Sequence, residues 1–211
     1  MTIDAADLKR MFDAIAVAIE ADKDRLCQLD GVIGDADHGI AMALGFGAVR
    51  DALASLDLAT TEPTTLLNMA AKSFLNAVGA SSGPLYATAF MRGAAAVKGK
   101  ATLAAGDVIA IVQAMAQGIK DRGKAEIGEK TMIDAWLPAA EAAAAANLAG
   151  KNLAQSLEAA LAAAERGAEA TKDMIAAKGR SSRLGERSLG HMDPGAASAV
   201  TVIGAMTVSL G

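Results

Sequence analysis

The chain has 211 residues, of which 53% are hydrophobic and only 3% aromatic, and its formal net charge is −4 at pH 7. This charge disfavours a nucleic-acid polymer as a partner, and the single cysteine, Cys27, excludes an internal disulfide and fits a reducing compartment. The first ten residues, "MTIDAADLKR", carry acidic side chains where a signal peptide has basic and apolar ones. We therefore expect a cytoplasmic protein.

Helical periodicity dominates the chain. Apolar residues recur at spacings of three and four in the first segment, which predicts an amphipathic helix near residues 4–29. The only ambiguous segment is the C-terminal run "AVTVIGAMTV", because its valines and threonines also suit a strand. No linker-like segment interrupts the chain, so the sequence predicts one all-α bundle that spans residues 1–211. Glycine, proline and polar residues interrupt the apolar pattern at intervals. These breaks predict seven further helices, at roughly 39–56, 63–79, 83–99, 106–122, 131–147, 152–177 and 194–210.

Two uncharged stretches, residues 73–91 and 194–211, are long enough to be considered as membrane spans. The first contains Asn76 and a Gly83-Pro84 break, and the second consists mostly of alanine, glycine, serine and threonine. Buried helices explain both stretches better than membrane spans do. We expect a soluble protein with no membrane partner.

The decapeptide "DGVIGDADHG" at residues 30–39 concentrates three aspartates, Asp30, Asp35 and Asp37. Their spacing does not suit one helix face and the stretch is rich in glycine, so we predict a loop. Carboxylates at this density repel one another unless a cation neutralises them, and oxygen ligands suit Mg²⁺ or Ca²⁺. The stretch does not fit the Ca²⁺-binding loop of an EF-hand. This mismatch favours Mg²⁺ that is bound together with phosphates. The alternative is that Asp37 only caps a helix that begins at His38.

Two further motifs predict helix N-termini. In "GASSGP", Pro84 suits a first helical turn, with Ser82 or Gly83 as the cap. In "HMDPGA", Asp193 is the predicted cap and Pro194 is the first-turn proline. The free backbone N–H groups at such helix starts bind phosphate readily, although many helix starts are purely structural.

The connection "GKAEIGEKT", residues 123–131, resembles a P-loop at first sight. However, Glu129 is one residue too many before Lys130, and a helical segment precedes the motif where a true P-loop follows a strand. We therefore interpret Thr131 and Asp134 as a capping arrangement for the next helix.

A second connection, "KGRSSRLGERSLGHMD" at residues 178–193, is polar, rich in glycine and carries three arginines. Connections of this length in a compact domain are usually functional lids, and the alternative is a flexible solvated connector. His38 and His191 are interpreted as hydrogen-bonding structural residues rather than metal ligands. The carboxylates and helix starts together predict a bound Mg²⁺-nucleotide or another metal-bound phosphate, with lid arginines such as Arg180 adding positive charge.

Four motifs in this order are familiar from one family: "IGDADHG", "GASSGPL", "RGKAEIGEKTMIDAW" and "GRSSRLGERSLGHMDPGA". They resemble the nucleotide-binding L subunit of dihydroxyacetone kinases, a module that also forms the L domain of single-chain kinases. The resemblance covers nearly the whole chain. It implies a closed barrel of eight antiparallel amphipathic helices, with the Mg²⁺-nucleotide bound at one end.

The resemblance also assigns roles to residues. It implies that Asp30, Asp35 and Asp37 bind two Mg²⁺ ions, which hold the phosphates of ADP or ATP. Members of the family often have asparagine where this chain has Ala41, so a contact from that side chain to the nucleotide or metal would be lost here. The implied nucleotide contacts are His38, Gly39, Ile40, Ala41, Ser81, Ser82, Gly123, Met132, Arg180, Asp193, Pro194 and Gly195.

The implied activity is phosphoryl transfer to a short-chain ketose that a separate K subunit holds covalently, with Arg180 as the only catalytic group in this chain. In one branch of the family ADP stays bound and a phosphotransferase-system protein rephosphorylates it, and in the other branch ATP exchanges as a substrate. The alternatives are a regulatory module whose nucleotide state controls a transcription factor and, more weakly, a metal-dependent phosphatase. The sequence leaves a homodimer and the choice between triose and tetrose open.

Overall fold

The computed structural model describes residues 2–211. Two 3₁₀ segments, Thr171–Asp173 and Arg180–Ser188, lie near the C-terminus. Within residues 2–211 there is no strand beyond an isolated bridge that pairs Ile3 with Leu103. The same residues form eight α-helices: α1 (Ala5–Ile33), α2 (His38–Leu53), α3 (Pro63–Ala77), α4 (Ser82–Ala96), α5 (Ala105–Gly123), α6 (Ile133–Leu148), α7 (Leu153–Ala170) and α8 (Pro194–Leu210).

The helices form a ring in chain order. Each helix packs against the next one in the sequence, and α8 packs against α1, which closes the ring. Because mostly short connections join the neighbours, successive helices run antiparallel. The predicted all-α closed bundle is confirmed for the described residues.

The few aromatic side chains of this alanine-rich chain are all buried in the barrel interior, among alanine, leucine, isoleucine, valine and methionine side chains. The rings of Phe46 and Phe74 meet edge to face with centroids 5.1 Å apart, an arrangement that the ring quadrupoles favour. Gly45 permits this contact, because a Cβ atom there would lie 2.4 Å from the Phe74 ring. Every aromatic residue of the chain is at most 1% exposed: Phe12, Phe46, Phe74, Tyr86, Phe90 and Trp136.

The alternating direction of the helices brings four N-termini to one end of the barrel, those of α2, α4, α6 and α8. The C-terminus of α1 lies at the same end. Each N-terminus presents backbone N–H groups without helical partners and the positive end of a helix dipole. This end of the barrel is therefore suited to anions.

The predicted loop at residues 30–39 is shorter in the structure. Helix α1 continues to Ile33 instead of ending near residue 29, and the Gly34 N–H closes its last turn by donating to the Asp30 carbonyl at 2.5 Å. Leu26, Asp30 and Ile33 are all buried at helical spacing. The prediction missed this because a carboxylate occupies a position where the apolar pattern would have continued. Only residues 34–37 connect α1 to α2.

The prediction for α7 was also wrong at its C-terminus, since the helix ends at Ala170 and not near residue 177. Thr171 Oγ1 donates to the Ala168 carbonyl at 2.6 Å, and the Thr171 carbonyl accepts a hydrogen bond from the Lys130 side chain. These contacts stop the helix and redirect the chain. The ambiguous C-terminal segment is helical, and α8 has the predicted bounds. None of the helices within residues 2–211 combines the length and the apolar character that a membrane crossing needs.

Candidate metal and phosphate site

A cavity of about 720 Å³ opens at the end of the barrel where the four N-termini meet. The first residues of α2, α4 and α8 and the residues directly before α6 line its wall, and so does the polar connection before α8. The arrangement combines oriented N–H groups with a concave shape, which is how helix termini bind phosphate groups.

The three aspartates meet at one edge of this cavity. Oxygen atoms of Asp30, Asp35 and Asp37 all lie within 4.8 Å of one another. Asp30 is buried at 8% exposure, and the other two carboxylates are exposed. A cluster made only of carboxylate oxygens is the donor set that Mg²⁺ prefers in proteins, and it fits the metal implied by the sequence.

Asp30 organises this cluster through the backbone. Its Oδ2 atom accepts hydrogen bonds from the N–H groups of Asp37, at 3.0 Å, and His38, at 3.2 Å. The side chain of Asp37 makes no capping hydrogen bond, so the alternative in which Asp37 caps α2 was wrong. The cap comes instead from the last turn of α1, and the Asp37 carboxylate is left on the cavity side.

Arg180 reaches the cluster from the polar connection. Its guanidinium group pairs with the carboxylate of Asp35, and both side chains are more than one-third exposed. An exposed ion pair of this kind contributes little to stability, about 0–1 kcal/mol. The pair therefore adds little to the stability of the free protein, and it places the guanidinium beside the carboxylate cluster at the cavity edge.

The turn into α4 forms a second wall. Residues 79–82 line the cavity, and helix α4 begins at Ser82, one residue earlier than the predicted cap would place it. Gly83 allows the turn to close tightly, because a Cβ atom there would lie 2.1 Å from the Val78 carbonyl oxygen. Ser81 is exposed and Ser82 is buried, so the two hydroxyl groups meet different surroundings.

The starts of α6 and α8 form the third wall. Thr131 N–H donates to Asp134 Oδ2 at 2.8 Å, as the predicted capping arrangement requires. Helix α5 precedes this connection, whereas a strand precedes a P-loop. Asp193 caps α8 as predicted, since its Oδ2 atom accepts the Ala196 N–H at 2.7 Å. Burial raises the pKa of Asp193 to about 7, against the opposing effects of the Ala196 N–H and the Lys130 charge.

His38 links the cavity to the barrel interior. Its Nε2 atom lies 2.9 Å from Ser198 Oγ, and Ser198 Oγ also donates to the Gly195 carbonyl at 3.0 Å. Burial lowers the pKa of His38, while the charge of Asp30 opposes this shift. The predicted hydrogen-bonding role of His38 is present, and the residue also lines the cavity.

Two of the predicted contact residues do not face the cavity. Gly39 packs against α1, where a Cβ atom would lie 2.0 Å from the Lys23 carbonyl oxygen. Ile40 is 51% exposed on the outer side of α2. Both follow His38 in sequence, but the helical turn directs them away, and only Ala41 returns to the cavity wall. The other ten predicted nucleotide-contact residues and the three aspartates line the cavity.

The structure also adds cations that sequence reasoning did not name individually. Arg122, Lys130, Lys178 and Arg183 all line the cavity. Each lies within or beside the glycine-rich connections at residues 123–130 and 178–193. That proximity was the available signal, but no motif marked these side chains individually.

The polar connection before α8 is partly anchored. Ser188 is fully buried, and its Oγ atom accepts the Ala176 N–H at 3.0 Å and donates to the Gly185 carbonyl at 2.7 Å. The 3₁₀ segment carries Arg180 at its start. The connection is therefore an ordered flap with a fixed base, and not the flexible solvated connector that was the alternative to a lid. We call residues 171–193 the lid.

A family model described as the DAK2 domain matches residues 32–208. The chain belongs to the DAK2 domain family. It is 41% identical over 173 residues to a protein of Escherichia coli K12 named the ADP-binding subunit DhaL of PEP-dependent dihydroxyacetone kinase, and the match covers 82% of this chain and 81% of that protein. It is 37% identical over 198 residues to the DhaL subunit of PEP-dependent dihydroxyacetone kinase 2 from Listeria innocua, covering 94% and 91% of the two chains.

A solved structure shares the fold. The dihydroxyacetone kinase of C. freundii, crystallised in complex with AMP-PNP and Mg²⁺, superimposes with a TM-score of 0.71 at 26% identity. The match covers 95% of this chain but only 33% of that kinase, so the chain corresponds to about one-third of the larger protein. The predicted resemblance to the L module of dihydroxyacetone kinases is thus confirmed.

Proposed function

We propose that this chain is the nucleotide-binding, phosphoryl-transferring subunit of a kinase for dihydroxyacetone or a related short-chain ketose. The observation that carries the proposal is the meeting of three carboxylates with four helix N-termini around one cavity. Carboxylates and phosphates repel each other unless metal ions lie between them, so this combination suits a Mg²⁺-nucleotide. The names of the E. coli and Listeria relatives support the same nucleotide class.

Asp30, Asp35 and Asp37 are the residues that would hold two Mg²⁺ ions. Asp30 is fixed by the two backbone N–H groups that it accepts, so one ligand is preorganised before metal binds. When bound, the metal ions neutralise charge on the nucleotide phosphates. The protein in turn supplies a rigid edge on which the phosphates keep one orientation.

The remaining cavity residues would orient the nucleotide. The helix starts at Ser82 and Gly195 present N–H groups to the phosphates, and Gly123 and Met132 line the part of the cavity assigned to the base. Arg180 lies over the carboxylate cluster and is positioned to stabilise charge on the phosphoryl group during transfer. Catalysis of this kind depends on positioning and electrostatics rather than on a covalent step by the protein.

We further propose that ADP is a resident cofactor and not an exchanging product. The support is that the chain matches more than four-fifths of the length of two ADP-binding subunits of PEP-dependent kinases, but only one-third of a single-chain kinase. Purified protein is denatured, and the released nucleotide is identified by chromatography. Stoichiometric ADP supports a resident cofactor, whereas an empty site that binds and releases ATP rapidly would contradict it.

The acceptor ketose is proposed to lie on a partner K subunit. The charged and polar groups found around the cavity suit a Mg²⁺-phosphate, and none within residues 2–211 forms a recognisable second site for a small hydroxyketone. The test combines the purified chain with dihydroxyacetone, a phosphoryl donor system and, in a second arm, a matching K subunit. Dihydroxyacetone phosphate should form only in the second arm. Robust formation by the contaminant-free chain alone would overturn this division of labour.

A further inference from the structure

Lys130 is the residue of the rejected P-loop motif that the proposed function does not use. Its side chain is 1% exposed, although it carries a charge. Its backbone has a φ of 60°, a conformation that costs a non-glycine residue of order 1–3 kcal/mol and persists where surrounding contacts demand it. A buried cation on a strained backbone calls for a physical explanation.

The contacts of the ammonium group supply one. Lys130 Nζ donates to the carbonyl of Thr171 and to the carbonyl of His191. Thr171 is the first residue of the lid after α7, and His191 is close to its end before α8. A single cation, which comes from the connection between α5 and α6, therefore joins the two points where the lid leaves and rejoins the barrel.

Backbone contacts close the same base. Gly190 N–H donates to the Lys172 carbonyl at 2.8 Å, and Asp193 N–H donates to Thr171 Oγ1 at 2.9 Å. Ala177 N–H donates to the carbonyl of Glu129, the neighbour of Lys130, at 3.1 Å. The two ends of the lid are thus held to each other and to the connection between α5 and α6.

The buried ammonium group of Lys130 has no ion-pair partner among the described residues to offset the cost of its burial. Its partners are neutral carbonyl oxygens, and within residues 2–211 it forms no ion pair. Burial lowers the pKa of Lys130, and the charges of Asp193, Asp134 and Asp173 offset only part of this effect. A buried charge without an ion pair is expensive, so its retention at the lid base indicates a positioning task.

We propose that Lys130 is a positioning residue that fixes the base of the lid, so that Arg180 is held over the carboxylate cluster and the bound nucleotide is retained. This inference rests on the proposed nucleotide site. Lys130 acts through the lid, because its donors are engaged by the Thr171 and His191 carbonyls. Its removal should free the lid to open while the helix starts and the carboxylates stay in place.

The test compares Lys130→Met with Lys124→Met in the full-length protein. Lys124 lies in the same connection, is exposed and has a φ of 49°, so its substitution matches the loss of charge and the unusual backbone. Nucleotide dissociation is followed by displacing a fluorescent ADP analogue with excess ADP in Mg²⁺. Lys130→Met should accelerate dissociation at least about tenfold and change the association rate less than threefold, and Lys124→Met should leave both rates unchanged.

A merely structural role predicts a different pattern, namely a lower melting temperature with an unchanged dissociation rate well below melting. That result in folded Lys130→Met protein would overturn the proposal. If Lys130→Met does not fold, Lys130→Gln serves in the same comparison, because its amide group still donates to carbonyl oxygens while the charge is removed. An unchanged dissociation rate in Lys130→Gln would then overturn the proposed need for the cation.

A second readout does not require nucleotide binding. Trypsin cleavage at Arg183 and Arg187 in the lid should be several-fold faster in Lys130→Met than in Lys124→Met under native conditions. If the wild-type protein fails to bind ADP, the proposed function fails, but this comparison still tests the lid base. Equal cleavage rates would show that Lys130 does not hold the lid.

Discussion

The carboxylate of Asp30, in the last turn of α1, accepts the backbone N–H of Asp37 at 3.0 Å, just before α2 begins. The same oxygen accepts the N–H of His38 at 3.2 Å. Asp30 therefore performs the capping role that the sequence offered to Asp37. This relationship gives the three aspartates separable roles, because one of them supports the fold and two of them are exposed at the cavity.

Asp30 and Asp37 should differ in their effects on stability. Asp30→Ala removes the acceptor for two helix-start N–H groups and should lower the free energy of unfolding by about 0.5–2 kcal/mol. Asp37→Ala removes no such bond and relieves repulsion among the carboxylates, so stability should be unchanged or slightly higher. Urea denaturation in metal-free buffer measures both. Equal destabilisation by the two variants would contradict the assignment of the cap.

Gly39 should behave as a packing residue. A Cβ atom there would lie 2.0 Å from the Lys23 carbonyl oxygen and 2.8 Å from Cys27 Sγ, so α1 and α2 would have to separate. Overpacking at Gly39→Ala should lower the free energy of unfolding by roughly 1–3 kcal/mol, and the melting temperature should fall with it. Gly47→Ala on the same helix is the matched control, because a Cβ atom there meets nothing within 4 Å. A Gly39→Ala protein as stable as Gly47→Ala would show that the close packing of α1 on α2 is misassigned.

Asp193 should make stability depend on pH. Burial raises its pKa to about 7 in the native protein, from an ordinary value of 3.8. Because the folded pKa is the higher one, the stabilisation by the protonated carboxyl is complete below about pH 4 and is lost as the pH rises through 7. The steepest loss from this one group is about 1.4 kcal/mol per pH unit. Lys130 and Asp134 are the charged groups that modulate it.

Asp193→Asn isolates this effect, because the asparagine oxygen still accepts the Ala196 N–H that Asp193 accepts at 2.7 Å. The difference in unfolding free energy between wild type and variant should shift in favour of the variant as the pH is raised from 4 to 8. Urea titrations across this range measure it. A constant difference would mean that Asp193 titrates normally.

Arg180 should matter more for transfer than for binding. It is exposed and pairs with Asp35 in the free protein, so its loss costs little binding energy. With the K subunit present, Arg180→Ala should lower the maximal transfer rate by at least about tenfold and weaken ADP binding by less than threefold. Arg166→Ala on α7, which does not line the cavity, is the control. A parallel loss of rate and affinity would make Arg180 a binding residue only.

Local sequence signals predicted the parts of the fold that they determine. Helix α8 has the predicted bounds because Asp193 and Pro194 specify its start within two residues. The end of α7 was missed because Thr171 is held by Lys130, which is distant in sequence. The helical state of Asp30 was missed because a buried carboxylate interrupts the apolar pattern of α1.

In the candidate site too, local motifs predicted some residues, and contacts between distant parts of the chain determine the others. The motifs predicted the aspartates, the serines before α4 and the start of α8, because glycine, proline and acidic residues mark these turns directly. They did not show that Ala41 lines the cavity while Gly39 and Ile40 do not. This difference arises from the direction in which each residue points from the first turn of α2. The role of Lys130 depends on carbonyl groups 41 and 61 residues away, which no local pattern contains.

The proposed function depends above all on nucleotide binding in this cavity through metal ions held by the three aspartates. The most direct measurement is calorimetric titration of nucleotide-free protein with ADP, in Mg²⁺ and in EDTA, for wild type, Asp35→Ala and the exposed control Asp51→Ala. Wild type and Asp51→Ala should bind one ADP in Mg²⁺ and lose at least about a hundredfold in affinity in EDTA, an effect of roughly 2.7 kcal/mol. Asp35→Ala in Mg²⁺ should bind as weakly as wild type in EDTA, with unchanged helical circular dichroism. Tight ADP binding by Asp35→Ala that EDTA does not weaken would show that the nucleotide is not held through metal ions on the aspartates.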